Sequence, residues 1–226
     1  MTEFLRNAPW DVAALGYPAW ELSEYSAAAL AAADAVPGHQ SIKLDPLADK
    51  GLLHRHGFYY ADTLLETAAT RARLRPLPAL AHTVRVSVRR APDADAALAI
   101  CHGAFAHGRF HRDFQVAPQA AALRYDNWLR QLLDGGQVYG LYADDTLAGF
   151  IGYHGSALVL HAVAPAFRGR GLARHWWHQV VSELMDAGHA EVTSSISSAN
   201  LAVLNLYASL GFAFRHPQDI YHRIVK

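Results

Sequence analysis

The stretch from Leu158 to Ala187, LVLHAVAPAFRGRGLARHWWHQVVSELMDA, sets the tightest limit on what this chain can fold into. The apolar run Leu158 to Val163 reads as a buried strand, and Pro165 marks the turn that ends it. Next comes Arg168-Gly169-Arg170-Gly171-Leu172-Ala173, where two glycines let backbone approach a ligand with no Cβ in the way. Leu172, Ala173, Trp176, Trp177, Val180, Val181, Leu184 and Met185 then share one stripe at helical spacing. Arg174, His175, His178, Gln179, Ser182, Glu183 and Asp186 share the other, and Gly188 supplies the stop. The first N–H groups of such a helix lack internal partners, and the positive end of its dipole faces the same way. Strand, turn, glycine crossing and helix together predict an anion site, suited to a phosphate.

Two other phosphate loops are excluded. No G-x-x-x-x-G-K-[ST] occurs, which rules out a nucleoside-triphosphate P-loop. Gly169-Arg170-Gly171 could open G-x-G-x-x-G, but position 174 is Arg, so the dinucleotide fingerprint fails. What fits is R-x-x-G-x-A, Arg168 to Ala173, directly after a strand ending Val163-Ala164-Pro165. This resembles the cofactor motif of the GNAT acetyltransferase superfamily.

Composition narrows the partners. The 226 residues carry 20 basic and 20 acidic side chains with no dense Lys/Arg run, which disfavours nucleic acid or an anionic membrane as the main partner. Cys101 is the only cysteine, so neither an internal disulfide nor a Cys-rich metal site can form. Glu3 near the start and the lack of an apolar leader predict a cytoplasmic protein. Among 14 histidines, His107/His111 and His175/His178 have ligand-like spacing, but neither pair has a third ligand in sight, and no metal site is expected.

Residues 1–81 read as a small α/β lobe, with Arg71 to Ala81, including Pro76 and Pro78, as a linker. A helix over 26–35 leads to a short strand at 41–44. A second helix over 45–55 ends at His56-Gly57-Phe58, followed by extended chain over 59–65. Helix, Gly-Phe and strand recur at Leu201 to Leu210, Gly211-Phe212 and the tail, so the lobe reads as a degenerate echo of the C-terminal half.

Residues 82–226 form the second unit. Thr83 to Arg89 alternates apolar and polar residues as a half-buried strand does, and Pro92-Asp93 starts a helix to about Ala106. An aromatic and basic loop, His107 to Val116, precedes a helix over 118–133. Val138–Ala143 and Leu147–Tyr153 read as a hairpin, Glu191–Ser197 as a strand, and Phe212–Arg215 with Ile220–Val225 as a closing hairpin. The resulting order β-α-α-β-β-β-α-β-α-β-β is similar to the GNAT fold. The expected class is therefore α/β (α+β): a mixed, mostly antiparallel central sheet flanked by helices, preceded by the small lobe.

That resemblance implies acetyl-CoA as cofactor and transfer of acetyl to a primary amine by direct attack. It assigns the cofactor diphosphate to backbone N–H groups of Gly169, Arg170, Gly171, Leu172 and Ala173, with the Arg168 and Arg170 side chains beside it. It puts a β-bulge before the motif, freeing main-chain N–H groups at His161, Ala162 and Val163 for the pantetheine and thioester. It makes Tyr207 the acid, at the end of Asn200-Leu201-Ala202-Val203-Leu204-Asn205-Leu206-Tyr207, although Val203 stands in the family's alanine slot. A phenol of pKa about 10 can donate to a thiolate whose thiol titrates at about 8.5, though a helical Tyr is equally a packing residue. Asn200 serves the pantetheine arm, the helix N-cap, or both. The base is open between His161, His154 and water.

A second resemblance is to sugar-nucleotide N-acetyltransferases that act on dTDP-fucosamine. It rests on Ala104 to Phe110, Tyr125 and Trp128, with Trp10-Asp11, Gly16 and Leu53 to Phe58 in the first lobe. This implies a small-molecule amine on a dTDP-amino sugar, its diphosphate met by Arg109, His111 and Arg112, with Phe110, Phe114 or Tyr125 stacking on base or sugar. Protein N-terminal amines, polyamines and aminoglycosides are alternative acceptors. A non-catalytic acyl-CoA-binding module is the alternative outside enzymes, and family habit adds a homodimer.

Overall fold

The computed structural model describes residues 3–80 and 84–226, so the expected linker end at Ala81, the boundary at 81/82 and the strand start at Thr83 lie outside the described residues. The first lobe holds β1 (Leu5–Asn7), α1 (Pro9–Leu15), β2 (Ala19–Leu22), α2 (Ala27–Asp34), β3 (Gly38–Leu44), α3 (Gly51–Arg55) and β4 (Tyr59–Thr70). Then follow β5 (Val86–Arg90), α4 (Ala94–Cys101), α5 (Arg109–Arg112), α6 (Pro118–Asp134), β6 (Val138–Ala143), β7 (Thr146–His154) and β8 (Ala157–Val163). The chain ends with α7 (Ala173–Asp186), β9 (Glu191–Ser197), α8 (Leu201–Ser209) and β10 (Ala213–Val225).

All ten strands join one sheet in the order β1-β2-β3-β10-β4-β9-β8-β7-β6-β5. Both parts of the chain share it, and β4 lies inside, between β9 and β10. The expected class is observed: a mixed, mostly antiparallel sheet with helices on its faces. No helix among the described residues is long and apolar enough to cross a membrane.

The echo between the halves is visible in the ladders. β1 pairs antiparallel with β2 and β2 parallel with β3; likewise β7 pairs antiparallel with β8 and β8 parallel with β9. Each half then closes the same way. The Phe58 N–H donates to the Leu53 carbonyl and the Phe212 N–H to the Tyr207 carbonyl, both at 3.1 Å, around glycines of positive φ, Gly57 and Gly211. The last strands are exchanged. β4 pairs with β9, β10 pairs with β3, and β4 and β10 pair with each other, all antiparallel.

This exchange corrects the expected closing hairpin. With β3 on one edge and β4 on the other, β10 already has two partners and runs on as one strand of 13 residues. Pro217, which cannot donate to a ladder, sits in the register shift between Arg215 and Gln218. The stretch after β4 is likewise tied down rather than solvated. Arg71 pairs with Asp186, Arg73 Nε donates to the Gly211 carbonyl at 3.2 Å, and the Arg75 N–H to the Leu210 carbonyl at 3.0 Å. At Gly211 a Cβ would lie 2.1 Å from the Arg73 carbonyl oxygen, so a side chain there would push the two segments apart.

One face of the sheet is covered by α7, whose predicted stripe buries Trp176, Trp177, Val180, Val181, Leu184 and Met185 against Tyr139, Leu141, Ile151 and Val192. Each fully buried aliphatic of this kind is worth about 1.5–3 kcal/mol. The other face carries α4 and α6, packed on Phe150 and Leu160. A buried polar knot fastens the chain after α5 to β3, β4 and β10. Asp113 accepts from the Tyr59 hydroxyl and from His222 Nδ1, each at 2.8 Å, and from the Gln115 N–H at 2.9 Å, with His39 Nε2 at 3.7 Å. Burial alone would raise the Asp113 pKa, but these donors outweigh it and hold the carboxyl well below the usual carboxylate range. Burial pushes His222 down to about 3.

Candidate active site

The site begins where two strands part. β8 and β9 pair only at Ala157↔Thr193 and Leu158↔Ser194, and beyond that Val159–Val163 and Ser195–Ser197 diverge. A bulge does interrupt β8, but at Val159, between the pairs Gly152↔Leu160 and Tyr153↔Leu158, two residues before the expected position. Backbone alternation sets what faces the gap. The Ala164 N–H donates to Ala148 on the β7 side at 2.8 Å, so the N–H groups of His161 and Val163 point away from β7, toward β9. The Val163 carbonyl on that edge is taken by Arg168 Nε at 2.7 Å.

A cavity of about 1080 Å³ runs through this gap. On the α7 face it is lined by Arg168 to Ala173, Trp177, Asn200, Val203 and Leu206; on the opposite face by Phe105, Gly108, Arg109, Arg124, Tyr125 and Trp128. Its size is at the upper end for a ligand site. At the α7 end the helix starts without a side-chain cap on Leu172. The N–H groups of Gly169 to Leu172 find no acceptor among the described residues. Gly169 and Gly171 both have φ of 73°, and a Cβ at either position would meet nothing within 3.4 Å, so conformation rather than space requires glycine. Arg170 lies over the Phe167 ring at 5.6 Å. Open amides, a helix N-terminus and arginines make this end an anion cradle. His161, Ala162, Val163, Arg168, Gly169, Arg170, Gly171, Leu172, Ala173 and Asn200 all line the cavity, as does Asn200's neighbour Ala202. Asn200 is also the α8 N-cap, accepting from the Val203 N–H at 3.3 Å.

Tyr207 is placed differently. It is 0% exposed and does not line the cavity; its hydroxyl lies 3.3 Å from His161 Nε2, and His161 does line it. Burial pushes Tyr207 up to about 12 and His161 down to about 4, so both are uncharged near neutrality. His154, the other base considered, sits at the end of β7 against Gln137 and away from the cavity.

Of the expected acceptor contacts, Arg109 and Tyr125 line the cavity, and Phe110, His111, Arg112 and Phe114 do not. Residues 109–112 form a helical turn rather than an open loop, and its period turns Phe110 inward, 1% exposed, into the core. His111 stacks on Tyr125 with ring centres 5.6 Å apart, and Arg112 Nη1 donates to Asp62 Oδ1 at 2.7 Å. Phe114 is 78% exposed and packs on Tyr59. Arg109 has no carboxylate partner among the described residues. Burial, then the neighbouring Arg124, lowers its pKa.

Sequence reading missed the opposite wall, which the first lobe supplies. Asp62, Leu64 and Glu66 of β4, Ser41 and Lys43 of β3, Glu21 of β2 and Asp11 of α1 all reach the cavity. Asp62/Leu64/Glu66 and Ser41/Lys43 carry the period-two signal of one strand face, which would have found them once β4 was set beside β9. Asp11 pairs with Arg124 at 2.9 Å, and Arg124 lies over the rings of Phe110, Tyr125 and Trp128.

Residues 107–212 match the model of the acetyltransferase (GNAT) family. The spore coat polysaccharide biosynthesis protein SpsD of Bacillus subtilis (strain 168) is 24% identical over 136 residues, covering 58% of this chain and 47% of that protein. The chain thus spans about half the length of that curated relative. A GCN5-related N-acetyltransferase from Sphaerobacter thermophilus superposes with a TM-score of 0.60 at 15% identity, over 83% of this chain and 60% of that one. A tandem GNAT protein from the clavulanic acid biosynthesis pathway gives 0.55 at 14% identity, over 93% and 76%. At such identities the structures speak for the fold. The family model thus matches residues 107–212, and the chain has the fold of these GNAT structures.

Proposed function

We propose that the protein is an acetyl-CoA-dependent N-acetyltransferase that passes acetyl to a primary amine by direct attack, the amine belonging to a nucleotide-linked amino sugar. The observation that carries this reading is the parting of β8 from β9 directly onto an uncapped helix N-terminus. The residues present fit the cofactor. Unpartnered amides of Gly169 to Leu172 suit its diphosphate, and a slot through the sheet suits its pantetheine arm. When bound, acetyl-CoA supplies the activated acetyl group.

The chain's own groups do the rest. The His161 and Val163 N–H groups, held on the free edge of β8, stabilise negative charge on a carbonyl oxygen; one such donor is typically worth about 2.7–4 kcal/mol of barrier. Tyr207 holds a proton at its hydroxyl beside His161 Nε2, and through that imidazole the pair can return a proton to the leaving sulfur. Arg109, with Tyr125 behind it, faces the acceptor's phosphates. The likeness to SpsD, a spore coat polysaccharide biosynthesis protein, favours a sugar acceptor.

A thiol-release assay over a panel of amines, including dTDP-amino sugars, tests the reading. Turnover with the sugars is expected, and Tyr207→Phe should lower it about 10²-fold or more. Full turnover by that variant would remove Tyr207 from the reaction, and acetyl-CoA bound without turnover of any amine would point to a binding module. Asp11, Glu21, Asp62 and Glu66 in the wall favour a polyamine as second reading, and the same panel decides between them.

A further inference from the structure

We propose that Asp62, on the strand that the first lobe lends to the middle of the sheet, is the catalytic carboxylate that takes the proton from the acceptor's ammonium group. The proposal rests on the acetyl-transfer reading above and names the base that reading lacks.

Asp62 lies in the cavity wall on the face opposite α7. Its side chain is held still by three donors on one oxygen. Oδ1 accepts from Arg112 Nη1 at 2.7 Å, Ser197 Oγ at 2.8 Å and the Thr63 N–H at 2.9 Å. Oδ2 is buried and has no partner at all. A carboxylate offers about four acceptor positions, so a buried oxygen left bare on a residue that lines a cavity is incomplete until a donor arrives, and an ammonium group is such a donor. Ser197 fixes the location. It closes β9 at the parted end, so the bare oxygen belongs to the region where β8 and β9 diverge.

Each of the other carboxylates of the wall has a basic partner, Asp11 through Oδ1 alone. Asp11 is paired with Arg124, Glu66 is held by Arg215 and His216, and Glu21 by Arg6 and Lys43. His161 has its Nε2 toward Tyr207, while His107 and Lys43 also line the cavity and the His107 carbonyl accepts from Ser197 Oγ at 3.2 Å. Among these wall carboxylates, Asp62 is the one with an oxygen that is both buried and without a partner.

Its surroundings suit a base. Arg112 and Arg109 face it from α5, Tyr125 from α6 and Ser197 from β9, while Thr63 beside it reaches Asp219 of β10. Burial pushes the Asp62 carboxyl up; Ser197, Arg112, Thr63 and Arg109 pull it back without cancelling the rise. A carboxylate that binds its proton more tightly than usual is a better acceptor from an amine. In the step, an N–H bond of the ammonium breaks as an O–H bond forms on Oδ2, and nitrogen keeps the electron pair. That pair makes the new C–N bond, the acetyl C–S bond breaks with its pair on sulfur, and the second proton lost by nitrogen ends on sulfur. Asp62 then releases its proton to water.

The test is Asp62→Asn, read by three measurements. Acetyl-CoA binding by calorimetry is expected to match the unaltered protein. Turnover of a dTDP-linked 4-amino sugar is expected to fall about 10²-fold or more. Turnover of methoxyamine, which is uncharged at neutral pH and has no proton to surrender before attack, is expected to stay within a few-fold, after subtraction of the uncatalysed rate. Equal losses with both amines would make Asp62 a structural anchor and overturn the proposal. Failure of the unaltered protein to bind acetyl-CoA would sink the acetyl-transfer reading instead. Should Asp62→Asn not fold, carbon-13 titration of Asp62 in the unaltered protein decides. A midpoint above the ordinary Asp range that moves when the amino sugar binds supports the role, and one that ignores the sugar overturns it.

Discussion

The two halves contain the same crossing, β2 into α2 and β8 into α7, and finish it in opposite ways. In the first, Ser26 caps the helix, accepting from the Ala29 N–H at 3.1 Å while its hydroxyl donates to Glu24 at 2.6 Å. β2 stays paired with β3 at Ala19, Trp20 and Glu21, nearly its whole length. In the second, no side chain caps Leu172, two positive-φ glycines hold the approach open, and β8 leaves β9 after two pairs. A β-α crossing is therefore not an anion site by topology alone. It becomes one when its first amides are left without an internal acceptor. The self-capped crossing is structural, and its strands serve as wall for the open one.

The largest break in this comparison comes from the packing beneath the open crossing. Trp176 is wholly buried and its Nε1 donates to the Tyr142 carbonyl at 2.9 Å, so Trp176→Ala should cost about 3–5 kcal/mol in urea unfolding. The second effect tests the joint between the halves. His222 is neutral in the fold at about 3, and the unfolded chain takes a proton first, near 6.5. Stability is then full above about pH 6.5 and lost as pH falls toward about 3, with up to about 2 kcal/mol gone between pH 6.5 and 5. Unfolding midpoints across that range should fall for the unaltered protein and fall less steeply for His222→Gln, in which His161, also held low by burial, keeps its own share.

Smaller effects separate the two helix starts. Gly171→Val forces a branched residue to φ of 73° and should weaken acetyl-CoA binding about tenfold or more, about 1.4 kcal/mol, in a calorimetric titration. Ser26→Ala should cost about 1 kcal/mol of stability and leave that affinity unchanged. An affinity change in Ser26→Ala would mean that the two crossings are coupled and that their contrast is not local.

What could be read in advance follows from how far apart the cooperating residues lie. The α7 stripe, the glycine crossing and the Gly-Phe echo are contained within a few turns of chain, and each appears where the pattern puts it. Phe110 went astray because a four-residue helical turn is too short to show a period. The first lobe's wall of the cavity was invisible for a different reason. Asp62 meets Ser197 across 135 positions, and nothing in either segment announces the other. Tyr207 was readable as a residue of interest but not as one screened by His161, since a single pattern on α8 cannot show what β8 places in front of it.

Because β4 and β10 have each crossed into the other half's ladder, the molecule resembles a pair of clasped hands more than two beads on a string. Severing the backbone near residue 80 would bare both β9 and β10 along their lengths, so neither fragment has a finished edge to present to water. Supplied together, the fragments have every reason to re-zip along those bare edges. Return of acetyl-CoA affinity would then report the rejoining.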